Sequence, residues 1–189
     1  MVVETPAESM MDVNHFGQLA RYNAWANARL YGVVATLPDE AYRRPIGLFF
    51  RSLHGTLNHL LGVDRLWLKR LTGEGDHPNR LDAIAYDNLR DLAQARVAED
   101  ERIIAVMDGY NALALSRRHP YRTTSGQPQE QVLGDILLHF FNHQTHHRGQ
   151  AHAGLSILTD AEPPSLDLLV FQRGAPTPDL AALLTMPKR

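Results

Sequence analysis

Four stretches of this chain repeat apolar residues at three- and four-residue steps, and each is closed by prolines and glycines. That alternation constrains the fold more than anything else in the sequence. The first stretch covers residues 12–37, with Asp12 as a plausible N-cap and Pro38 just past its end. Its stripe runs through Phe16, Leu19, Tyr22, Trp25 or Ala26, Leu30 and Val33 or Val34. The loop "PDEAYRRPIGLFF" separates it from a second helix over residues 52–71, which "TGEGDHPN" terminates. A third, more polar helix is expected over 86–110. A fourth begins near Glu130 and continues to about Leu158. Before it, "LALSRRHPYRTTSGQPQE" reads as irregular or as a short hairpin in which "YRTT" turns at "SGQP". The tail carries five prolines and room for one or two short helices. Four long helices with one weak strand signal predict an all-α four-helix bundle. At 189 residues the chain suits one domain.

Charge and cysteine content narrow what such a bundle can do. The net charge of −2 provides no basic field for sequence-independent binding of nucleic acid. Cysteine is absent, so any tightly held metal must be bound through nitrogen or oxygen. The opening "MVVETPAESMMDVNHF" lacks a basic segment followed by an apolar run, and no apolar stretch approaches the roughly 20 residues of a membrane span. A cytoplasmic protein with no membrane partner is the expectation.

"HFFNHQTHHRGQAH", residues 139–152, holds five of the chain's ten histidines. At about 100° per residue from Val132, His143 and His147 fall at about 20° and 60°. They share that face with Ile136, Phe140, Leu133, Ala151, Gly154, Ile157 and Leu158. His146 and His152 lie on the opposite, polar arc with Asn142 and Thr145. Two imidazoles at i and i+4 stand one turn apart and can converge on one ion. Inside an apolar stripe each ring nitrogen needs a partner, which a metal supplies and a buried carboxylate or water also supplies. The spacing alone leaves both open. Gln144 follows His143, so the HExxH general base is missing. His139, at the edge of the stripe, is less well placed than a ligand from a facing helix. On the second helix His54 borders the polar arc with Asn58, Arg65 and Lys69, whereas His59 keeps apolar company and is the better third ligand. Asp64 falls inside the apolar stripe and requires a donor or a cation: it supports a ligand, is itself a ligand, or pairs with an arginine such as Arg148. His15 on the first helix has no spacing in its favour.

"YNAWANARL", "FFRSLHGTLNHLLGVDRLWLKRLTG", "YRTTSGQ", "HFFNHQTHHRGQAH" and the later "PPSLDLLVF", in this order, closely resemble the DinB (YfiT-like) family. The resemblance covers about residues 12–172, leaving 173–189 as a tail on a single domain. It implies a four-helix bundle that binds a divalent metal through three histidines, one on the second helix and two in an HxxxH on the fourth. His59, His143 and His147 match those positions. It also implies a homodimer, and, from some relatives of the fold, S-transferase chemistry with a low-molecular-weight thiol such as mycothiol or bacillithiol.

Three neutral nitrogen ligands leave a position open, as catalytic sites do. The expected activity is hydrolysis, with the ion activating water, or thiol transfer, on a small-molecule substrate. The ion is expected to be zinc or nickel, although imidazole suits copper and iron too. The alternative is a non-catalytic, stress-response protein whose ion staples the bundle. A third reading is a metal-free bundle with satisfied core histidines. No catalytic residue stands out: Asp64 and His146 are weak candidates for a base. Gln150, one turn from His147, is suited to hydrogen-bond a ligand histidine. Arg148 reads as a structural salt bridge, "RRHP" and "LKRL" as solvated charge runs. Trp25, Tyr22, Phe49, Phe50 and Trp67 read as core more than as pocket lining.

Overall fold

A computed structural model describes residues 11–159, 161–180 and 182, with side chains from residue 14. Four long helices form the bundle: α1 (Met11–Val34), α3 (Leu53–Thr72), α4 (Leu89–Asp108) and α6 (Leu133–Leu158). α1 packs on α4 and α6, and α3 packs on the same two helices, so α1 and α3 stand diagonally. The connection between them, residues 35–52, contains the short α2 (Asp39–Arg43). The link from α4 to α6 contains α5 (Ala112–Leu115) and a hairpin of β1 (Arg118–Arg122) and β2 (Pro128–Val132). α7 (Leu168–Gln172) closes the described fold, packing Phe171 on Tyr22 and Trp25. The architecture is an all-α bundle with a small two-stranded sheet. No helix among the described residues is long and apolar enough to cross a membrane.

Element ends follow local chemistry. Ser52 caps α3 by accepting from the Gly55 amide, and Gly73, at φ 79°, ends that helix in the left-handed conformation. Asn88 caps α4, accepting from the Asp91 amide. α4 therefore starts three residues later than its periodicity predicts. Tyr86 instead exchanges backbone bonds with the Asn58 amide side chain, at 2.9 and 3.0 Å. α6 starts at Leu133, not near Glu130, because residues 128–132 pair antiparallel with 118–122, and Arg118 bonds the Glu130 carboxylate at 2.8 Å. α1 already includes Asp12, and the expected cap by its side chain lies outside the described residues.

Two large apolar clusters fill the bundle. One joins Leu30, Tyr31, Leu53, Leu57, Leu92 and Leu155; the other joins Phe16, Trp67, Leu68, Ile103, Ile136 and Phe140. A smaller one of Tyr22, Trp25 and Ala26 receives Phe171 of α7. A polar layer is buried along with them: Asn23 and Asn27 donate to Asp100 at 3.0 Å, Arg96 pairs with Asp64 and Asp100, and Arg148 donates to Asn23. Asp64 is thus the partner of Arg96, not of Arg148, and it stands outside the group of histidines described below. Arg148 makes no carboxylate salt bridge among the described residues; its charge lies over the Tyr22 ring.

Fifteen of the twenty residues of α3 are buried, His54 and Asn58 among them, although periodicity places both on or beside a solvated arc. The reason is the long loop after α3. Residues 78–88 lie over that arc and fasten their backbone to its polar side chains: His54 Nε2 donates to the Tyr86 carbonyl at 3.2 Å, and Pro78 lies against Gly62.

Candidate metal centre

His59 projects from the middle of α3 toward α6, where one helical turn separates His143 from His147. The His59 Nε2 lies 3.3 Å from the Nε2 of each. One ligand-type atom from each of the three residues falls within 4.8 Å of the others, a grouping that could hold an ion. His59 is buried, and the other two are half-buried. At about 2.0–2.1 Å from a four-coordinate ion, two ligand nitrogens stand roughly 3.3–3.4 Å apart, which is the separation found here.

The other ring nitrogens of His59 and His147 fix where their lone pairs point, while His143 Nδ1 is buried without a partner among the described residues. His59 Nδ1 lies 2.7 Å from the Leu81 carbonyl, which can only accept, so Nδ1 carries the hydrogen and Nε2 the lone pair. His147 Nδ1 donates to Gln150 Oε1 at 2.8 Å, leaving its Nε2 lone pair free in the same way. Two lone pairs 3.3 Å apart repel unless a proton or a cation lies between them. Burial opposes the proton: it lowers the His59 pKa to about 4 and that of His143 to about 3, and it lowers that of His147 as well. A divalent ion satisfies all three nitrogens without charging any imidazole.

Gln150 makes a second bond, its amide donating to His146 Nε2 at 3.2 Å. His146 itself is exposed and its own ring is not in the group. His139 is exposed at the rim, its ring centroid 6.1 Å from that of His143. His15 is exposed on α1, and His54 contacts Tyr42 on the far side of α3. The face of α6 that enters the core runs through Leu137, Gln144, Arg148, Ala151 and Leu155. His143 and His147 sit on the flank of that face, and Ile157 is exposed. The apolar stripe drawn from sequence is therefore rotated, because the polar Gln144 and Arg148 are buried and serve as core.

Phe50 stacks on His59 with ring centroids 3.7 Å apart, and Gly55 makes this possible. A Cβ at residue 55 would lie 2.1 Å from the Phe50 carbonyl oxygen. Phe49, beside it, is 79% exposed, while Trp25 and Tyr22 are core. On the other side of the histidines opens a cavity of about 280 Å³, lined by His59 and His143, Trp67 and Tyr121, and Arg70 and His139. Tyr121 comes from the hairpin, which is tied to α3 by His119 Nε2 donating to the Arg70 carbonyl at 2.8 Å. Sequence reasoning passed over the Leu81 carbonyl, read Phe50 and Trp67 as core more than as lining, and read Arg70 within "LKRL" as part of a solvated charge run, whereas it is half-buried at the cavity. A backbone acceptor leaves no trace in side-chain pattern. Arg70 did leave one: it is eleven residues from His59, about 20° away on the same helical face.

Comparison with known proteins agrees with this picture in outline. A family model described as DinB family matches residues 10–180. Protein DinB of Bacillus subtilis (strain 168) is 26% identical over 158 residues, covering 78% of this chain and 88% of that protein. No solved structure matches the chain.

Proposed function

This chain belongs to the DinB family, and from that premise we propose that it binds a divalent metal through His59, His143 and His147 and uses it enzymatically. The reaction is hydrolysis of a small molecule or transfer of a low-molecular-weight thiol to one. One observation carries the reading: two imidazoles with their lone pairs committed to Nε2 face each other across 3.3 Å. When bound, a divalent ion there supplies Lewis acidity to the water of the hydrolysis or to the thiol of the transfer.

The chain's own residues do the rest. Leu81 and Gln150 hold the His59 and His147 rings in the ligating tautomer, as outer partners of metal ligands do. Phe50 covers one side of His59 and keeps water from it. Trp67 and Tyr121 wall the opposite side and leave a cavity reaching His59 and His143. A purely structural ion calls for a closed coordination sphere, and the cavity favours an open position.

Elemental analysis of the untagged protein tests the reading. We expect close to one ion per chain, a several-fold loss in each of H59A, H143A and H147A, and near-native content in H146A. Equal loss in all four variants would refute the assignment. A screen of the loaded protein with thiol cosubstrates and with ester or amide substrates then separates transfer from hydrolysis.

A further inference from the structure

Arg70 lines the cavity at His59 and His143, and it also lines an adjoining one of about 370 Å³. Its guanidinium lies 4.6 Å from the Trp67 ring centroid and 5.3 Å from that of Tyr121. This half-buried cation has no hydrogen-bond or ion-pair partner for its guanidinium among the described residues, and its Nε is buried without one. The other buried or half-buried arginines each have an oxygen: Arg29 bonds Ser165, Arg43 Asp87, Arg65 and Arg102 Glu99, Arg96 Asp64, and Arg148 Asn23. A charge partly withdrawn from water with no partner is unfavourable, so an arginine held this way at a cavity is suited to a charge that arrives.

The surroundings point the same way. Among the described residues, neither cavity has a carboxylate in its lining. The adjoining one adds Lys69 and Arg122, and both are bordered by Thr123 and Thr124 at the turn of the hairpin. Lys69 is held only loosely, 3.9 Å from the fully exposed Asp76, and Arg122 gives one nitrogen to the Gly126 carbonyl. Trp67 and Tyr121 present ring faces to the guanidinium and leave its edge, the donor fork, for an anion.

We propose that Arg70 anchors an anionic group, carboxylate or phosphate, of the molecule processed at the histidine centre, with Arg122 and Lys69 completing the positive lining. The anchor itself rests on Arg70 alone; its link to chemistry rests on the metal reading above. Arg70 stands three helical turns beyond His59 on α3, and both line the same cavity. The substrate class is therefore a small acid whose charge and reactive bond are separate groups of one molecule.

The test uses full-length protein loaded with zinc, with inorganic phosphate and succinate as separate probes in titration calorimetry. Metal content and circular dichroism are recorded on the same samples of wild type, R70Q and R70K. Wild type is expected to bind at least one probe, and R70Q to bind it roughly ten- to a hundredfold more weakly with native metal content. R70K is expected to fall between them, since lysine keeps the charge and loses the fork. The probe bound more tightly identifies the group as phosphate or carboxylate. Equal affinity in wild type and R70Q, or no binding in wild type, overturns the anchor while leaving the metal centre standing. Arg70-dependent binding to a chain that takes up no metal supports the anchor and removes the centre.

Discussion

Burial holds the His59 and His143 imidazoles to pKa values of about 4 and about 3, against an ordinary 6.5. In the unfolded chain both take up a proton near 6.5, and in the fold they refuse it until the pH is far lower. Between those limits the unfolded state binds more protons, so the metal-free protein loses stability as pH falls from 6.5 toward 4. Asp64 acts in the opposite sense, because burial raises its carboxyl to about 7. The contrast with a H59Q/H143Q double variant isolates the histidines. We expect urea midpoints of the metal-free variant to decline less steeply between pH 7 and 4.5 than those of metal-free wild type; parallel profiles would show that these rings carry no such penalty. At this scale the ligand-type histidines were legible, since spacing and company single out 59, 143 and 147. What those rings bond on their far sides was only half legible: Gln150 is one turn away in sequence, whereas Leu81 arrives from a loop.

α3 shows how one element is made to serve the site. Its first turn must admit the Phe50 carbonyl, and residue 55 has no side chain to obstruct it. We expect G55A to push the 46–52 segment outward, to lower stability by about 1–3 kcal/mol as overpacking does, and to weaken metal uptake by moving Phe50 off His59. G149A is the control: nothing lies within 4 Å of a Cβ there, and alanine in a helix interior is favoured over glycine by about 0.5–1 kcal/mol. Thermal melts and metal titrations of the two variants check both; a G55A protein as stable as G149A would show that the loop has room to spare. The faces of α3 and α6 were misjudged for one physical reason. Hydrophobic periodicity draws a helix's inner face through its apolar residues, but Asn58 and His54 are covered by a loop, and the polar Gln144 and Arg148 are enclosed by the bundle.

Across the whole molecule, the buried charges and amides of α1, α3, α4 and α6 meet in one network. Arg96 holds it together by pairing with both Asp64 and Asp100. Replacing it by methionine leaves two carboxylates buried with one guanidinium fewer, and removing one partner of a buried pair costs about 3–5 kcal/mol. R96M should therefore unfold at a much lower denaturant concentration than wild type. A triple change that also makes Asp64 leucine and Asp100 asparagine should recover much of the loss, whereas equal instability of the single and triple variants would show that Arg96 acts by packing alone.

Sequence alone determined the four rods, their breakers, the absence of thiolate ligands and the three histidines worth watching, because helical spacing and residue chemistry are local. Tertiary structure decided which polar residues became core, which carbonyl fixed the His59 tautomer and which arginine was left without an oxygen among the described residues. Those depend on what packs against a side chain from elsewhere in the chain, and no window of neighbouring residues contains that partner.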